Sequence, residues 1–346
     1  MNRRSVLKKI IASPFAALPL LSFAQDRSGL PSHHGENGFV NTDPGYEDPP
    51  FTEMALWGIG RLGDVFSKTP KADIPRVYND GSVLKENKPY TVTWIGHSTA
   101  LIQMEGKNIL TDPIWSSSAG PFRWGGTPRV SEPGLDFDKL PPIDIVLISH
   151  NHYDHLDEST IDDLADRYPK ARYFVPLRVR DWFEDRGIRN VEELDWWEGV
   201  TYEGLKIICT PAQHFSGRWI NDRNQTLWCS WTVLGKKKLY FTGDSGYCSH
   251  FKHISGKFGS FDLALIPIGA YAPRTLMKPV HMDPEEAVQT FLDLRAKNML
   301  AIHWGTFAMT DEPIDEPPKK LYEAVEAKKL SRDDFWVFKL GETREW

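Results

Sequence analysis

The chain has 346 residues, 40% of them hydrophobic and 25% charged, with a formal net charge of -6. That balance excludes a polytopic membrane protein and a disordered chain, and it leaves ample length for a large buried core. It also disfavours nucleic acid as a partner, since no general basic surface is available.

The first 24 residues read as an export signal. Arg3, Arg4, Lys8 and Lys9 form a positive stretch, and Ile10 to Phe23 is apolar but interrupted by Pro14 and Pro19. Ser22-Phe23-Ala24 then offers a small-residue cleavage site before Gln25. The apolar run is too short to span a bilayer as a stable helix. The order Arg3-Arg4-Ser5-Val6-Leu7-Lys8 resembles a twin-arginine signal, with Val6 where Phe is usual. The expectation is export to a bacterial periplasm. Removal of residues 1–24 takes away four positive charges and leaves -10 (37 minus 47). Cys209, Cys229 and Cys248 form no Cys-x-x-Cys pair and read as buried small hydrophobes rather than as a disulfide with a free thiol.

Asp26 to Pro50 is rich in Gly, Pro and Asp and has no hydrophobic periodicity, so an extended arm is expected, with His33-His34 as surface loop residues. Phe51 to Phe66 has loosely helical spacing. Residues 25–89 thus form an arm and helical extension before a main domain over 90–346. There, residues 91–95, 100–104 and 108–111 read as strands around a Glu105-Gly106-Lys107 turn. Asp144 to Ser149 is nearly continuously apolar, as in a strand buried on both faces. Ser159 to Tyr168 is helical in spacing, and 172–175, 206–210, 227–234 and 238–242 read as further strands. A helix follows over Pro284 to Lys297, with Asp283 as N-cap, then a buried strand over Met299 to His303. Buried strands repeatedly end in His or Asp, the pattern of a layered α/β protein with a site at its strand termini.

The densest signal is His150-Asn151-His152-Tyr153-Asp154-His155. In an extended segment alternate residues share a side, so His150, His152 and Asp154 converge, and His155 joins as the chain turns toward a helix. Nitrogen and carboxylate donors this close suit Zn²⁺, with Fe or Mn as alternatives. Four clustered residues cannot enclose two metals. His214, Asp244 and His303 each close an apolar strand and are the candidates to complete the set, with Gly243 permitting a tight turn beside Asp244.

His-x-His-x-Asp-His followed by a later His, Asp and His resembles the metallo-β-lactamase superfamily. Further segments resemble its N-acyl-phosphatidylethanolamine-hydrolysing phospholipase D family. They include Thr93 to Thr99, Leu110 to Pro113, Asp222-Arg223-Asn224, Thr242 to Tyr247, Ile268 to Tyr271 and Ala301 to Phe307. The resemblance implies a four-layer αββα sandwich over 90–346 and two zinc ions per chain. His150, His152 and His214 would hold the first, Asp154, His155 and His303 the second, and Asp244 would bridge them. His281 matches a family histidine near the substrate phosphate, whereas its neighbour Val280 stands where the family often has a polar residue.

The implied reaction is hydrolysis of a phosphodiester by a metal-bridging hydroxide, of the phospholipase D type on N-acyl-phosphatidylethanolamine or a related phospholipid. Peripheral membrane contact goes with such a substrate. Asp154 is read as ligand first and proton acceptor second, and His281 as a phosphate contact or leaving-group acid. His97 and Asp112 are placed to orient metal-bound histidines. Trp115, Trp124, Trp182, Trp196, Trp197 and Trp219 read as core or as an apolar wall for acyl chains. Arg129, Arg218, Arg223 and Arg274 read as structural pairs or as headgroup contacts. Two other classes stay open: a di-metal hydrolase of a lactone or soluble phosphodiester, and a non-catalytic zinc-binding envelope protein.

Overall fold

A computed structural model describes residues 30–65, 72–86, 88–121 and 125–346. The export-signal expectation and Trp124 lie outside these residues. Ser32–Trp346 form one compact unit.

Two seven-stranded sheets make its centre. The first runs in the order Val191–Leu194, Arg172–Pro176, Ile145–Leu147, Lys107–Thr111, Thr99–Met104, Thr91–Gly96 and Thr343–Glu345. Its first four strands are parallel, and the rest are joined antiparallel. The second runs Gly199–Tyr202, Leu205–Thr210, Ser230–Leu234, Lys238–Phe241, Leu263–Pro267, Asn298–Ile302 and Phe335–Trp336, antiparallel to Lys238–Phe241 and parallel beyond it.

Alternation within single strands sets the layers. Ile145, Leu147, Ile102 and Ile109 join the large core with Ile207, Trp231 and Val233 of the second sheet. Their neighbours Val146, Leu101 and Leu110 turn the other way, onto Ile161 and Leu164 of the helix Glu158–Arg167. Each such side chain, fully buried, contributes about 1.5–3 kcal/mol. The helices Pro284–Asp293 and Pro317–Ala327 add Val288, Phe291 and Leu321 to the large core. The result is the expected αββα sandwich.

Several boundaries differ from expectation. The helix opening at Pro284 has a full capping box, with Glu286 N donating to Asp283 Oδ1 at 2.9 Å and Asp283 N to Glu286 Oε2 at 3.2 Å. It ends at Asp293 rather than Lys297, because Arg295 takes a left-handed φ of 52°. The strand expected from Leu227 begins at Ser230, since the amide of Leu227 turns to Leu177 O and that of Cys229 to Ser149 O. All three cysteines are buried and free.

Candidate metal centre

Every predicted ligand stands where a strand ends. The apolar strand Ile145–Leu147 leads into the loop bearing His150, His152, Asp154 and His155. Leu205–Thr210, Lys238–Phe241 and Asn298–Ile302 lead into His214, Asp244 and His303 respectively. The donors gather into two sets, His150 with His152 and His214, and Asp154 with His155, His303 and His97. Asp244 reaches both: its Oδ2 lies 3.0 Å from His155 Nε2, 3.1 Å from His303 Nε2 and 3.9 Å from His214 Nε2.

Most of the spacings match those between donors on one metal ion. Two donors on one tetrahedral zinc, each about 2.0–2.1 Å from it, stand roughly 3.3 Å apart, wider than a strong hydrogen bond. His152 Nδ1 and His214 Nε2 are 3.3 Å apart, His155 Nε2 and Asp154 Oδ2 3.1 Å, and His303 Nε2 and Asp154 Oδ2 3.5 Å. His150 Nε2 and His152 Nδ1 are tighter, at 2.7 Å. His155 Nε2, His303 Nε2 and Asp244 Oδ1 are buried yet have no hydrogen-bond partner among the described residues. The two nitrogens face the carboxylates of Asp244 and Asp154 at 3.0–3.5 Å without a well-aligned hydrogen bond, and Asp244 Oδ1 left so would cost about 1–3 kcal/mol. These donors fit two divalent cations sharing Asp244.

Contacts behind the ligands are shorter, as orienting hydrogen bonds should be. Asp112 Oδ2 lies 2.6 Å from His155 Nδ1 and accepts from Ser149 Oγ at 2.5 Å, while Oδ1 accepts from Ser149 N at 2.7 Å. Ser149 Oγ also lies 2.8 Å from His150 Nδ1. His97 Nε2 lies 2.8 Å from Asp154 Oδ2, and His97 N donates to Thr306 Oγ1 at 2.8 Å. His214 Nδ1 is held by the carbonyl of Val280 at 2.9 Å. A backbone group does that job, so this contact does not depend on the side chain at position 280, which is buried. His97, Asp112 and His303 take left-handed φ values of 50°, 29° and 59°. Such a conformation costs a non-glycine residue about 1–3 kcal/mol and is retained where the surroundings enforce it.

The electrostatics divide along the same line. Burial, with the neighbouring imidazoles, depresses His150 well below its ordinary value, and burial pushes His152 to about 4 and His214 to about 3. All three are therefore neutral at pH 7, the state in which an imidazole can bind a cation. Burial opposes a charge on His155 and His303 as well, but the carboxylates of Asp244 and Asp154 prevail, raising His155 well above the ordinary range and His303 to about 9. A field that holds protons there also attracts a divalent cation, which must displace them. Metal uptake at pH 7 is therefore expected to release protons from His155 and His303, besides any from an ionised water, and affinity should fall as pH drops below about 9. Calorimetry in buffers of different protonation enthalpy measures this; no release would contradict it.

His281 stands at the rim with its Nδ1 unpartnered and 3.9 Å from Asp244 Oδ2. Burial pushes it down to about 3. The four arginines are engaged structurally. Arg129 donates to the carbonyls of Ser116 and Ile114, Arg218 to those of Asn151 and Leu156, Arg274 pairs with Glu286, and Arg223 faces Asp48. Trp196 is core, Trp115 is half-buried against Phe137, and Trp197 is partly exposed. Trp182 and Trp219 line a cleft of about 790 Å³ beside Tyr153 and Asn151. The surface reading of His33-His34 is corrected: His33 is buried, and both rings contact Asp195. Ser149 and Thr306 carried no signal in the sequence beyond their nearness to candidate ligands, and Asn41, which contacts the His214 backbone, carried none.

A profile of the Beta-lactamase superfamily domain matches residues 107–304. N-acyl-phosphatidylethanolamine-hydrolyzing phospholipase D 1 of Caenorhabditis elegans is 40% identical over 257 residues, covering 71% of this chain and 72% of that protein. The chain belongs to this phospholipase D family of the metallo-β-lactamase superfamily. An uncharacterized Mycobacterium tuberculosis protein is 37% identical over 313 residues, covering 86% of this chain and 81% of its own. Igni18, a metallo hydrolase of Ignicoccus hospitalis, shares the fold with a TM-score of 0.57 at 23% identity, over 74% of this chain and 98% of that one. The family's metal-dependent hydrolase architecture accounts for His/Asp clusters at the strand ends.

Proposed function

We propose that the protein is a di-zinc phosphodiesterase of the phospholipase D type, exported to the periplasm, acting on N-acyl-phosphatidylethanolamine or a related phospholipid. The observation that carries this reading is the pair of donor sets joined at Asp244, with His281 beside it, whose Nδ1 has no hydrogen-bond partner among the described residues. Zinc at such a site supplies an ionised water near neutral pH and draws charge from phosphoryl oxygens.

The protein's own residues do the remainder. Asp112, Ser149 and His97 fix the ligand rings and the Asp154 carboxylate, so the donors need no rearrangement as substrate binds. Asp154 is a ligand first: its Oδ2 already faces His97, His155 and His303. His281 offers an imidazole nitrogen at the rim to a phosphoryl oxygen. Exposed Leu56 and Ile59 on the helix Phe51–Val65, with exposed Trp219 and Ile220, support peripheral contact with a lipid surface. Among the described residues no helix is long and apolar enough to cross a membrane.

The test is release of N-acylethanolamine from N-acyl-phosphatidylethanolamine by zinc-loaded protein. Release establishes the lipid reaction. A protein that holds two metals and cleaves a generic phosphodiester but releases nothing from the lipid would remove the lipid substrate and leave a di-metal hydrolase of another ester.

A further inference from the structure

The arm that precedes the main domain reaches the metal centre. His214 lies past the end of Leu205–Thr210, where no strand neighbour pairs its backbone, yet it is fully buried. The side-chain amide of Asn41 stands in for that neighbour. Asn41 Nδ2 donates to His214 O at 2.8 Å, and His214 N donates to Asn41 Oδ1 at 3.1 Å. With His214 Nδ1 held by Val280 O at 2.9 Å, ring and backbone are both fixed.

Asn41 is itself held from both sides. Upstream, His33 Nε2 lies 2.6 Å from Asp195 Oδ1 and His34 Nε2 2.7 Å from Asp195 Oδ2, and the His33 ring stacks on Trp196 with centroids 4.3 Å apart. Phe39 N donates to Asn224 O at 2.8 Å. Downstream, Asp43 Oδ2 accepts from Ser249 N at 2.7 Å and from Ser249 Oγ at 2.6 Å. The two imidazoles and one carboxylate also resemble a third metal set. Their nitrogen–oxygen separations are hydrogen-bond lengths, however, shorter than the 3.0–3.5 Å between Asp244 or Asp154 and His155 or His303. Each nitrogen has its own carboxylate oxygen. This is a latch.

We propose that residues 33–43 are a positioning strap for the His150, His152 and His214 donor set, with Asn41 as the residue that acts on His214 and Asp195 as the anchor that holds the strap in place. The proposal rests on the di-metal reading of the site. Losing a contact behind a metal ligand typically weakens metal binding 10–100-fold. Because Asn41 touches one donor set and not the other, the loss should fall on one ion.

The experiment follows stepwise zinc transfer from the full chain to a chromophoric chelator, for the wild type, Asn41→Ala, Asp195→Ala and the double variant. Wild type should yield two ions. Asn41→Ala should release one of them about 10–100-fold more readily and the other unchanged, a selectivity that general destabilisation would not produce. Asp195→Ala touches no ligand and should show the same selective loss. The double variant should be little worse than the more severe single one, since both act through one strap. Wild-type retention of both ions in Asn41→Ala, or equal weakening of both, would overturn the strap. A third ion lost only with Asp195 would replace the latch by a metal site. A wild-type chain that takes up no metal would overturn the di-metal reading and this proposal with it.

Discussion

Asp244→Asn is expected to lower hydrolysis by on the order of 10³-fold or more and to cut the metal content below two per chain. The carboxylate is 3.0 Å from His155 Nε2, 3.1 Å from His303 Nε2 and 3.9 Å from His214 Nε2, so it stands between both donor sets and is the proposed bridge. An amide keeps its shape but removes the negative charge that holds His155 and His303 in their raised state. Both ions lose a donor, and the barrier rises by several kcal/mol. Metal analysis beside a rate measurement, with circular dichroism to show that the fold persists, is the check. A variant with two tightly held ions and activity within tenfold of wild type would sink the bridging role.

Gly243→Ala is expected to destabilise the metal-free protein by about 2–5 kcal/mol. Gly243 has φ of 61°, a region that costs an L-residue roughly 1–2 kcal/mol. An added Cβ would also stand 2.4 Å from Ser149 Cβ and 2.8 Å from Ser149 Oγ. Ser149 cannot easily yield, because its amide and hydroxyl both bond Asp112 and its hydroxyl faces His150. Overpacking of this kind adds about 1–3 kcal/mol. Proteins of this class hold about 5–15 kcal/mol in total, so the loss is readily visible as a lower urea midpoint. An unchanged midpoint would mean that the turn can relax, contrary to this packing.

How much of the fold and site was legible in the sequence depends on the range of the interaction concerned. The candidate donors were legible as a cluster because each lies in the loop just past a buried apolar strand, and packing alone gives such a strand no reason to lead into His or Asp. The helix at Pro284 was legible from its cap, which is a contact between neighbours in sequence. Its end was not, because Arg295 departs from helical backbone as the chain enters the strand beginning at Asn298. The strand Val191–Leu194 escaped notice because its burial does not alternate, and Gly199–Tyr202, which does alternate, because it is only four residues long and never fully buried. Asn41 was illegible altogether. Its partner lies 173 positions away, in a stretch whose composition signals only an arm. The same blindness hid the burial of His33, whose carboxylate is 162 positions distant.

The distribution of donors between the two sheets has a kinetic consequence. The loop after Ile145–Leu147 belongs to the first sheet, whereas His214, Asp244 and His303 follow strands of the second. On the proposed di-metal reading neither half holds a complete coordination set, so capture of the ions must come after the sheets have docked, late on the folding route. Interactions formed that late stabilise the native state without speeding its formation; they act almost wholly on the rate of escape. Stripping the ions should therefore leave refolding nearly as fast as before and shorten the lifetime of the folded molecule. In a harsh or protease-rich setting, that lifetime rather than the equilibrium constant decides survival.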